Sequence, residues 1–274
     1  MGKKIALLQF DVAFADRAKN MRTVEGMFEK HITEDIDFVC MPETWDLGFY
    51  PTENLLDLAD NEGRATKAFL SGLAAGYNVN IVGGSIIERF GDVFNNTAYI
   101  FDRKGNHIAR YTKMHGSPTV RPANGEPFFK SGDEAVTFEL DGITCGIIIC
   151  YDIRFPELAR GLALDGAQMI FVPAQWPRER IDHWRALTIA RAIENVVYIA
   201  GVNASGGGGM IVGCGYSRLI DPWGVVIASR GEEDRAVIIE EVDFDKVEAL
   251  RAHTGIYQNR KPEAYKRIFE RGGD

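Results

Sequence analysis

Residues 146–160, with the sequence GIIICYDIRFPELAR, place Cys150 between an apolar strand and a helix that has Pro156 in its first turn. Thiolate is the nucleophilic form of cysteine, and the amino end of a helix lowers a thiol pKa from about 8.5. At such a corner the backbone N–H of Tyr151 points outward, ready to bind an oxyanion. The pattern predicts a nucleophilic cysteine, with a buried core cysteine as the alternative, which is how we interpret Cys145.

Two further polar residues follow predicted strands. Glu43 comes directly after the apolar run 37–41 and Pro42, and a carboxylate at that edge can take a thiol proton. Lys113 follows the predicted strand 107–111, and its ammonium can neutralise charge on a carbonyl oxygen. Taken alone, each is more often a solvated loop or surface residue, but α/β proteins build their sites at strand ends. The three positions together predict a base, a cation and a nucleophile.

Apolar runs of strand length alternate with helical patterns along the chain. An Asp-Gly pair at 141 and 142 between two such runs predicts a β-hairpin. We predict helices over 16–31, 65–77, 156–164, 178–195 and 243–252, and strands over 4–10, 37–41, 79–87, 94–101, 107–111, 135–140, 143–149, 168–172, 196–202, 215–220, 225–229 and 236–242. This order predicts an α/β protein of sheets covered by helices, in one domain over 1–274.

Composition and missing motifs argue against several classes of protein. The net charge of −8 argues against nucleic-acid binding, and no basic cluster is present for an anionic membrane surface. The apolar run before Asp11 is short, so we expect no signal peptide, and the sequence has no apolar stretch of about 18 residues. The cysteines form no CxxC pair, the histidines form no HExxH motif, and no serine elbow or phosphate-binding glycine loop occurs. We therefore expect a cytoplasmic protein that acts on a small molecule and binds no metal.

These motifs together resemble the nitrilase superfamily of carbon–nitrogen hydrolases over nearly the whole chain. The matching stretches are PETW at 42–45, YTKMH at 111–115, GIIICYDIRFPELAR at 146–160, HWRALTIARAIENVVYIAGVN at 183–203, GYSRLIDPWGVVIA at 215–228, VDFDKVEALR at 242–251 and NRKPEAY at 259–265. The resemblance implies a four-layer α-β-β-α sandwich and a catalytic triad without any cofactor. In that triad Glu43 would be the general base, Lys113 the oxyanion stabiliser and Cys150 the nucleophile.

The resemblance also implies a second glutamate between the lysine and the cysteine. Glu126, in the stretch GEPFFKSG, is the candidate. It would orient Lys113 or the bound amide, and the alternative is a loop carboxylate. The Tyr151 N–H would complete the oxyanion site.

Within the superfamily, the sequence most resembles the omega-amidases, in CYDIRF, in HWRALTIARAIEN and in the segment after PWG. These enzymes hydrolyse the side amide of 2-oxoglutaramate and 2-oxosuccinamate, whose carboxylate lies far from the amide. Arg154 would bind that carboxylate in a bidentate manner, unless it forms an ion pair with Asp152 or Glu157. Tyr50 and Trp176 would form an aromatic wall, or would be core residues.

Residues 116–129 depart from the omega-amidase pattern, so other functions stay open. One alternative is a carbamoylase that cleaves an N-carbamoyl amine to amine, carbon dioxide and ammonia. Another is a non-catalytic binding protein that has kept the fold. Because family members pair through helices, we expect a homodimer or a higher homo-oligomer. Residues 254–274 would form a C-terminal arm at its interface, with Tyr257, Tyr265 and Phe269 as anchors.

Overall fold

The computed structural model describes residues 2–51, 53–116, 129–207, 211–232 and 235–272. The strands in these ranges are β1 (Gly2–Phe10), β2 (Phe38–Cys40), β3 (Asp60–Asn61), β4 (Asn80–Val82), β5 (Ile86–Phe90), β6 (Val93–Phe101), β7 (His107–Thr112), β8 (Thr137–Leu140), β9 (Ile143–Ile147), β10 (Met169–Ala174), β11 (Tyr198–Asn203), β12 (Ser205–Gly207), β13 (Val212–Cys214), β14 (Arg218–Ile220), β15 (Val226–Ser229) and β16 (Arg235–Asp243). The helices are α1 (Arg17–His31), α2 (Leu55–Leu58), α3 (Arg64–Tyr77), α4 (Pro156–Leu164), α5 (Ile181–Asn195), α6 (Asp245–Thr254) and α7 (Pro262–Gly272). Two short 3-10 helices cover Cys150–Arg154 and Arg178–Arg180.

Two large sheets pack face to face. The first has the strand order β16-β1-β2-β4-β6-β5-β3, with β7 also paired to β6, and the second has the order β15-β14-β11-β10-β9-β8. Alternate residues of β1 point to opposite faces, as in any strand. Ile5 and Leu7 belong to the same apolar cluster as Ile147 and Phe171 of the second sheet. This cluster forms the core between the sheets.

Helices cover both outer faces. Ala6 and Leu8 of β1 pack with Phe28 of α1 and Leu70 of α3 on the outside of the first sheet. On the second sheet, a Cβ added at Gly146 of β9 would meet the Leu162 side chain of α4, and one at Gly201 of β11 would meet Trp184 of α5. The α-β-β-α order confirms the four-layer sandwich that the resemblance implied.

The predicted hairpin is present between β8 and β9. Leu140 pairs with Ile143, and the two residues between them have positive φ, 49° at Asp141 and 80° at Gly142. Positive φ at both central positions is the mark of a type I′ turn, whose twist matches that of the paired strands.

The predicted strand 79–87 is wrong as one element, because it is broken between β4 and β5. Gly84 has a φ of 60°, and a Cβ there would lie 2.1 Å from the Pro42 carbonyl oxygen. The backbone at Gly84 therefore departs from strand geometry where it packs closely against Pro42, the residue before Glu43. The predicted helix 178–195 begins with a 3-10 turn and becomes α-helical at Ile181, and the strand predicted over 143–149 ends at Ile147.

The C-terminal segment contains α7, where the sequence analysis predicted an arm but no helix. Tyr257 packs on its own chain: its hydroxyl donates to the Asn195 carbonyl, and the guanidinium groups of Arg160 and Arg251 lie 5.8 and 5.2 Å from its ring. Tyr265 is exposed. Among the described residues, no helix combines the length and the apolar character that crossing a membrane requires.

Candidate active site

Three segments from the two sheets bring Glu43, Lys113 and Cys150 together. Glu43 follows β2, Lys113 follows β7, and Cys150 follows β9 as the first residue of a 3-10 helix. The Lys113 ammonium donates to Glu43 Oε1 at 2.6 Å. The exposed fractions are 0% for Glu43, 4% for Lys113 and 6% for Cys150, so this cluster is withdrawn from bulk water.

Hydrogen bonds hold both oxygens of the Glu43 carboxylate. Besides Lys113, Oε1 accepts from Asn96 Nδ2 at 2.8 Å and from the Tyr50 hydroxyl at 3.4 Å. Oε2 accepts from the backbone N–H of Gln175 at 2.9 Å, and the Gln175 side chain donates to the Glu43 carbonyl at 2.9 Å. A buried carboxylate needs such donors to remain ionised. Glu43 is thus held in one orientation beside Cys150.

The electrostatics of the cluster favour an ammonium and a thiol. Burial alone would lower the pKa of Lys113, but the charge of Glu43, followed by Tyr50 and Cys150, raises that pKa well above its ordinary value. Burial and then the Glu43 carboxylate raise the pKa of Cys150, and Lys113 opposes them only in part. The resting pair is therefore a protonated lysine and a protonated cysteine, joined by the Glu43 carboxylate.

The predicted lowering of the Cys150 pKa is wrong. The helix that begins at Cys150 is a 3-10 helix of five residues, and the sulfur is buried beside a carboxylate. Desolvation of the thiolate and the nearby negative charge outweigh the positive end of so short a helix. Direct ionisation of the Cys150 thiol into water is therefore disfavoured.

Cys150 adopts a φ of 49°, which is rare for residues other than glycine. This sharp turn sends its side chain toward Glu43 and starts the 3-10 helix at the same point. Tyr151 is the second residue of that helix. The first backbone N–H groups of a helix have no acceptor within the helix, and the Tyr151 N–H is one of them. The position agrees with the oxyanion-binding role that the sequence predicts for the Tyr151 N–H.

A cavity of about 210 Å³ opens beside Cys150. The described residues that line it are Phe49, Cys150, Tyr151, Arg154, Gln175, Trp176, Pro177, Glu179, Arg180 and Ile211. Trp176 lines the cavity and is also a core residue, 2% exposed, whose Nε1 donates to the Arg180 carbonyl at 2.7 Å. The cavity is small, and its lining combines three aromatic rings with charged side chains, which suits a compact ligand that carries polar groups.

Arg154 stands in the cavity wall without a carboxylate partner among the described residues. Its guanidinium lies 5.0 Å from the Trp176 ring and 5.6 Å from the Tyr151 ring, and its Nη2 is 3.0 Å from His183 Nδ1. The alternative ion pairs with Asp152 and Glu157 do not form, since neither carboxylate is within 4.0 Å. A positive charge therefore faces the cavity, held by aromatic rings and free to meet an anion.

Of the two places that the sequence left open for Tyr50, the structure shows a buried one beside Glu43. Its hydroxyl touches Glu43 and accepts from Asn96 Nδ2 at 2.9 Å, while its ring packs on Phe49 and Phe129 at centroid distances of 4.6 and 4.7 Å. It is not among the described residues that line the cavity, where Phe49 takes the aromatic position instead. Glu126 lies in 117–128, outside the described residues, so its role stays a prediction.

The sequence analysis missed Asn96 and Gln175. Asn96 lies in β6 and Gln175 directly follows β10. Neither belongs to a sequence motif that is typical of a catalytic site. The only available signal for Gln175 was its position at the end of an apolar strand, the same signal that pointed to Glu43.

Comparison with known proteins decides the family. Residues 4–252 match the family model of carbon–nitrogen hydrolases. The chain belongs to this family. A 2-oxoglutaramate amidase of Bacillus subtilis is 36% identical to this hydrolase over 261 residues, which cover 95% of this chain and 98% of that protein. A human omega-amidase is 26% identical over 271 residues and 96% of each chain.

The solved structures agree. The crystal structure of a CN-hydrolase superfamily protein from Xanthomonas campestris, described as carrying an arsenic adduct in its active site, superimposes with a TM-score of 0.86. It is 25% identical to this hydrolase and covers 95% of this chain and 98% of its own. The predicted nitrilase fold and the predicted class, a carbon–nitrogen hydrolase, are confirmed.

Proposed function

We propose that this carbon–nitrogen hydrolase is an amidase that releases ammonia from the terminal amide of a small carboxylate, such as an omega-amide of a 2-oxo acid. The observation that carries the proposal is the Glu43–Lys113–Cys150 cluster beside a small cavity with Arg154 in its wall. The name of the Bacillus subtilis relative, a 2-oxoglutaramate amidase, supports the same class of substrate.

In the first half of the proposed reaction, Glu43 takes the proton of the Cys150 thiol while the sulfur attacks the amide carbon. The carbonyl π bond breaks as the C–S bond forms, and its electrons move to oxygen. The Lys113 ammonium and the Tyr151 N–H stabilise this oxyanion, which is the role that fixed donors play in acyl transfer. When the oxyanion collapses, the C–N bond breaks, the Glu43 proton passes to nitrogen, and ammonia leaves a thioester on Cys150.

The second half repeats the cycle with water as the nucleophile. Glu43 takes a proton from water as its oxygen attacks the thioester carbon. The same two donors hold the second oxyanion, and its collapse breaks the C–S bond and returns the Glu43 proton to sulfur. One amide and one water thus give one carboxylic acid and one ammonia, and Glu43, Lys113 and Cys150 regain their resting protonation.

Arg154 gives the proposed site its preference for an anionic substrate. A guanidinium binds a carboxylate through two parallel hydrogen bonds, and the rings of Tyr151 and Trp176 hold this one in place. Because Arg154 and Cys150 lie in the same small cavity, a substrate bound at both ends must be short. An omega-amide of a 2-oxo dicarboxylic acid has an amide at one end and a carboxylate at the other.

A panel of substrates tests the proposal. Ammonia release is measured from 2-oxoglutaramate, 2-oxosuccinamate, glutamine, an N-carbamoyl amine and a simple nitrile, with the wild type, Cys150→Ala and Cys145→Ala. We expect turnover of the two keto-acid amides, lost with Cys150→Ala and retained with Cys145→Ala, since Cys145 is a core residue of β9. Turnover of the carbamoyl compound alone would show that the substrate is an N-carbamoyl amine rather than a keto-acid amide. Full activity of Cys150→Ala would refute the mechanism.

We also propose that the protein is a homodimer with residues 254–274 at its interface. The support is local: α7 exposes Ile268, which is 64% accessible, together with Tyr265. Apolar side chains on a charged helix gain stability when a partner covers them. Sedimentation at micromolar concentration should show a dimer that Ile268→Glu weakens, and a monomeric wild type would contradict the proposal.

A further inference from the structure

Asp152 is a fully buried carboxylate that takes no part in the reaction described above. Its Oδ2 accepts from the Tyr111 hydroxyl at 2.7 Å and from the Ile149 N–H at 3.0 Å. Its Oδ1 accepts from the His115 backbone N–H at 2.9 Å and lies 2.8 Å from His115 Nδ1. Both oxygens are therefore engaged by groups that are far apart in the sequence.

These partners belong to the two segments that carry Lys113 and Cys150. Tyr111 and His115 stand two residues before and two residues after Lys113, at the end of β7 in the first sheet. Ile149 directly precedes Cys150, after β9 in the second sheet. One carboxylate thus ties the strand end that supplies the cation to the turn that supplies the nucleophile.

The geometry points to Asp152 as a positioning residue that holds Lys113 and Cys150 in register across the two sheets. The inference rests on the proposed function, because it acts through those two residues. A small misplacement of reacting groups is enough to cost a large factor in rate. Asp152 itself does not touch the cavity.

The backbone at Cys150 shows why such a support is needed. A φ of 49° at a cysteine persists only where the surroundings hold it. Asp152 clamps this turn twice, through its side chain to the Ile149 N–H and through its own N–H to the Ile149 carbonyl at 3.0 Å. Without the side-chain bond, the chain on either side of Cys150 could relax and move the sulfur away from Glu43.

The charge of Asp152 matters at one step in particular. When Glu43 takes the thiol proton, Lys113 loses the negative charge of its hydrogen-bonded partner. Burial then favours loss of the lysine proton, and Asp152 is among the groups that oppose this by raising the Lys113 pKa, after Glu43, Tyr50 and Cys150. Asp152 exchanges no proton in the proposed reaction, so its effect on Lys113 persists when that of Glu43 is lost, and Lys113 stays able to stabilise an oxyanion.

Asp60 offers a matched control. It is also buried, and each of its oxygens accepts a backbone N–H at the start of α3: Oδ1 from Ala65 at 3.1 Å and Oδ2 from Thr66 at 2.8 Å. Asp152→Asn and Asp60→Asn each put an amide nitrogen where a carboxylate oxygen faced a backbone N–H. Both should lower the melting temperature, but only Asp152 is joined to the site.

The test compares these two variants with the wild type in three measurements. They are kcat and KM on 2-oxoglutaramate, the melting temperature, and the rate of iodoacetamide alkylation of Cys150 relative to Cys214, followed by peptide mass spectrometry. For Asp152→Asn we expect kcat to fall about 10- to 100-fold with KM changed by less than about 3-fold, and Cys150 to be alkylated more slowly. Asp60→Asn should keep wild-type kcat and wild-type alkylation.

Two results would overturn the inference. If Asp152→Asn lowers only the melting temperature, as Asp60→Asn should, Asp152 is a structural carboxylate. If Asp152→Asn does not fold, Tyr111→Phe, which removes one donor from Oδ2, should still lower kcat, and an unchanged kcat there would overturn the inference. If wild-type Cys150 is alkylated no faster than Cys214, the proposed function fails and the positioning role falls with it.

Discussion

The reaction centre, formed by Glu43, Lys113 and Cys150, differs sharply from the cavity wall that carries Arg154. Hydrogen bonds at 2.6 to 3.4 Å fix the Glu43 carboxylate, and no residue of the centre is more than 6% exposed. In the wall, Arg154 is held by aromatic faces and one histidine nitrogen, and the neighbouring Glu179 and Arg180 are exposed. In the proposed mechanism the reacting groups therefore lie inside the sandwich, whereas the group that would bind the substrate carboxylate lies among more exposed residues.

This difference has an energetic basis. Buried charges are stable only when their partners are complete, so removing one member leaves another uncompensated. A change in the centre should therefore alter kcat and often the melting temperature. A change in the wall exposes few unpaired groups and should alter mainly KM.

The largest effect is expected for Glu43→Gln, which keeps the shape of the side chain but cannot accept the thiol proton. Loss of a general base should lower kcat about 10²- to 10⁴-fold in ammonia-release assays. Glu88→Gln is the matched control, because Glu88 is equally buried and its Oε2 accepts from Arg110 at 2.7 Å, away from Cys150. Equal losses per folded molecule in both variants would mean that the centre has no special role.

The next effect is expected in the wall. Arg154→Met keeps the apolar stem but removes the charge. KM for 2-oxoglutaramate should rise about 10- to 100-fold, because that factor corresponds to the free energy of a hydrogen bond to a charged group, and kcat should change little. The control is Arg178→Met, since Arg178 is exposed and pairs with Glu232 at 2.8 Å. A fall in kcat with unchanged KM would place Arg154 in the centre rather than in the wall.

Tyr50→Phe should have a smaller effect, and it would show whether Tyr50 belongs to the reaction centre or to the cavity wall. Its hydroxyl contact with Glu43 is long, at 3.4 Å, and Lys113 and Asn96 hold the same oxygen more closely. Loss of one such hydrogen bond should reduce kcat about 2- to 10-fold and leave KM unchanged. If instead KM rises and kcat is constant, the hydroxyl binds substrate.

The smallest effect is expected from alkaline pH. Because the pKa of Cys150 is raised, the thiol persists as the pH passes the usual thiol value of about 8.5. Proton transfer to Glu43 then governs attack, so kcat/KM should stay level between about pH 7 and 9, where a free thiol would gain reactivity. A rise with an apparent pKa near 8.5 would show that the thiolate forms by simple ionisation.

The features that were predictable from the sequence are those encoded locally. The hairpin at Asp141 and Gly142 follows from two adjacent residues, and the triad positions follow from short motifs at strand ends. Asn96 and Gln175 lie 53 and 132 residues from Glu43, so their contacts depend on sheet pairing that no local pattern reveals. The Cys150 pKa was predicted in the wrong direction because burial and the nearness of Glu43 arise only once the two sheets have packed.

The most direct test of the proposed covalent mechanism is the partition of product in hydroxylamine. The wild-type enzyme is given glutaramate and, separately, monomethyl glutarate, which lack the 2-oxo group that hydroxylamine would convert to an oxime, and the ratio of hydroxamate to carboxylate is measured at several hydroxylamine concentrations. If both pass through one thioester on Cys150, the ratio is the same for the amide and the ester at each concentration, and Cys150→Ala forms neither product. A ratio that depends on the leaving group, or product formation by Cys150→Ala, would contradict a common acyl-enzyme.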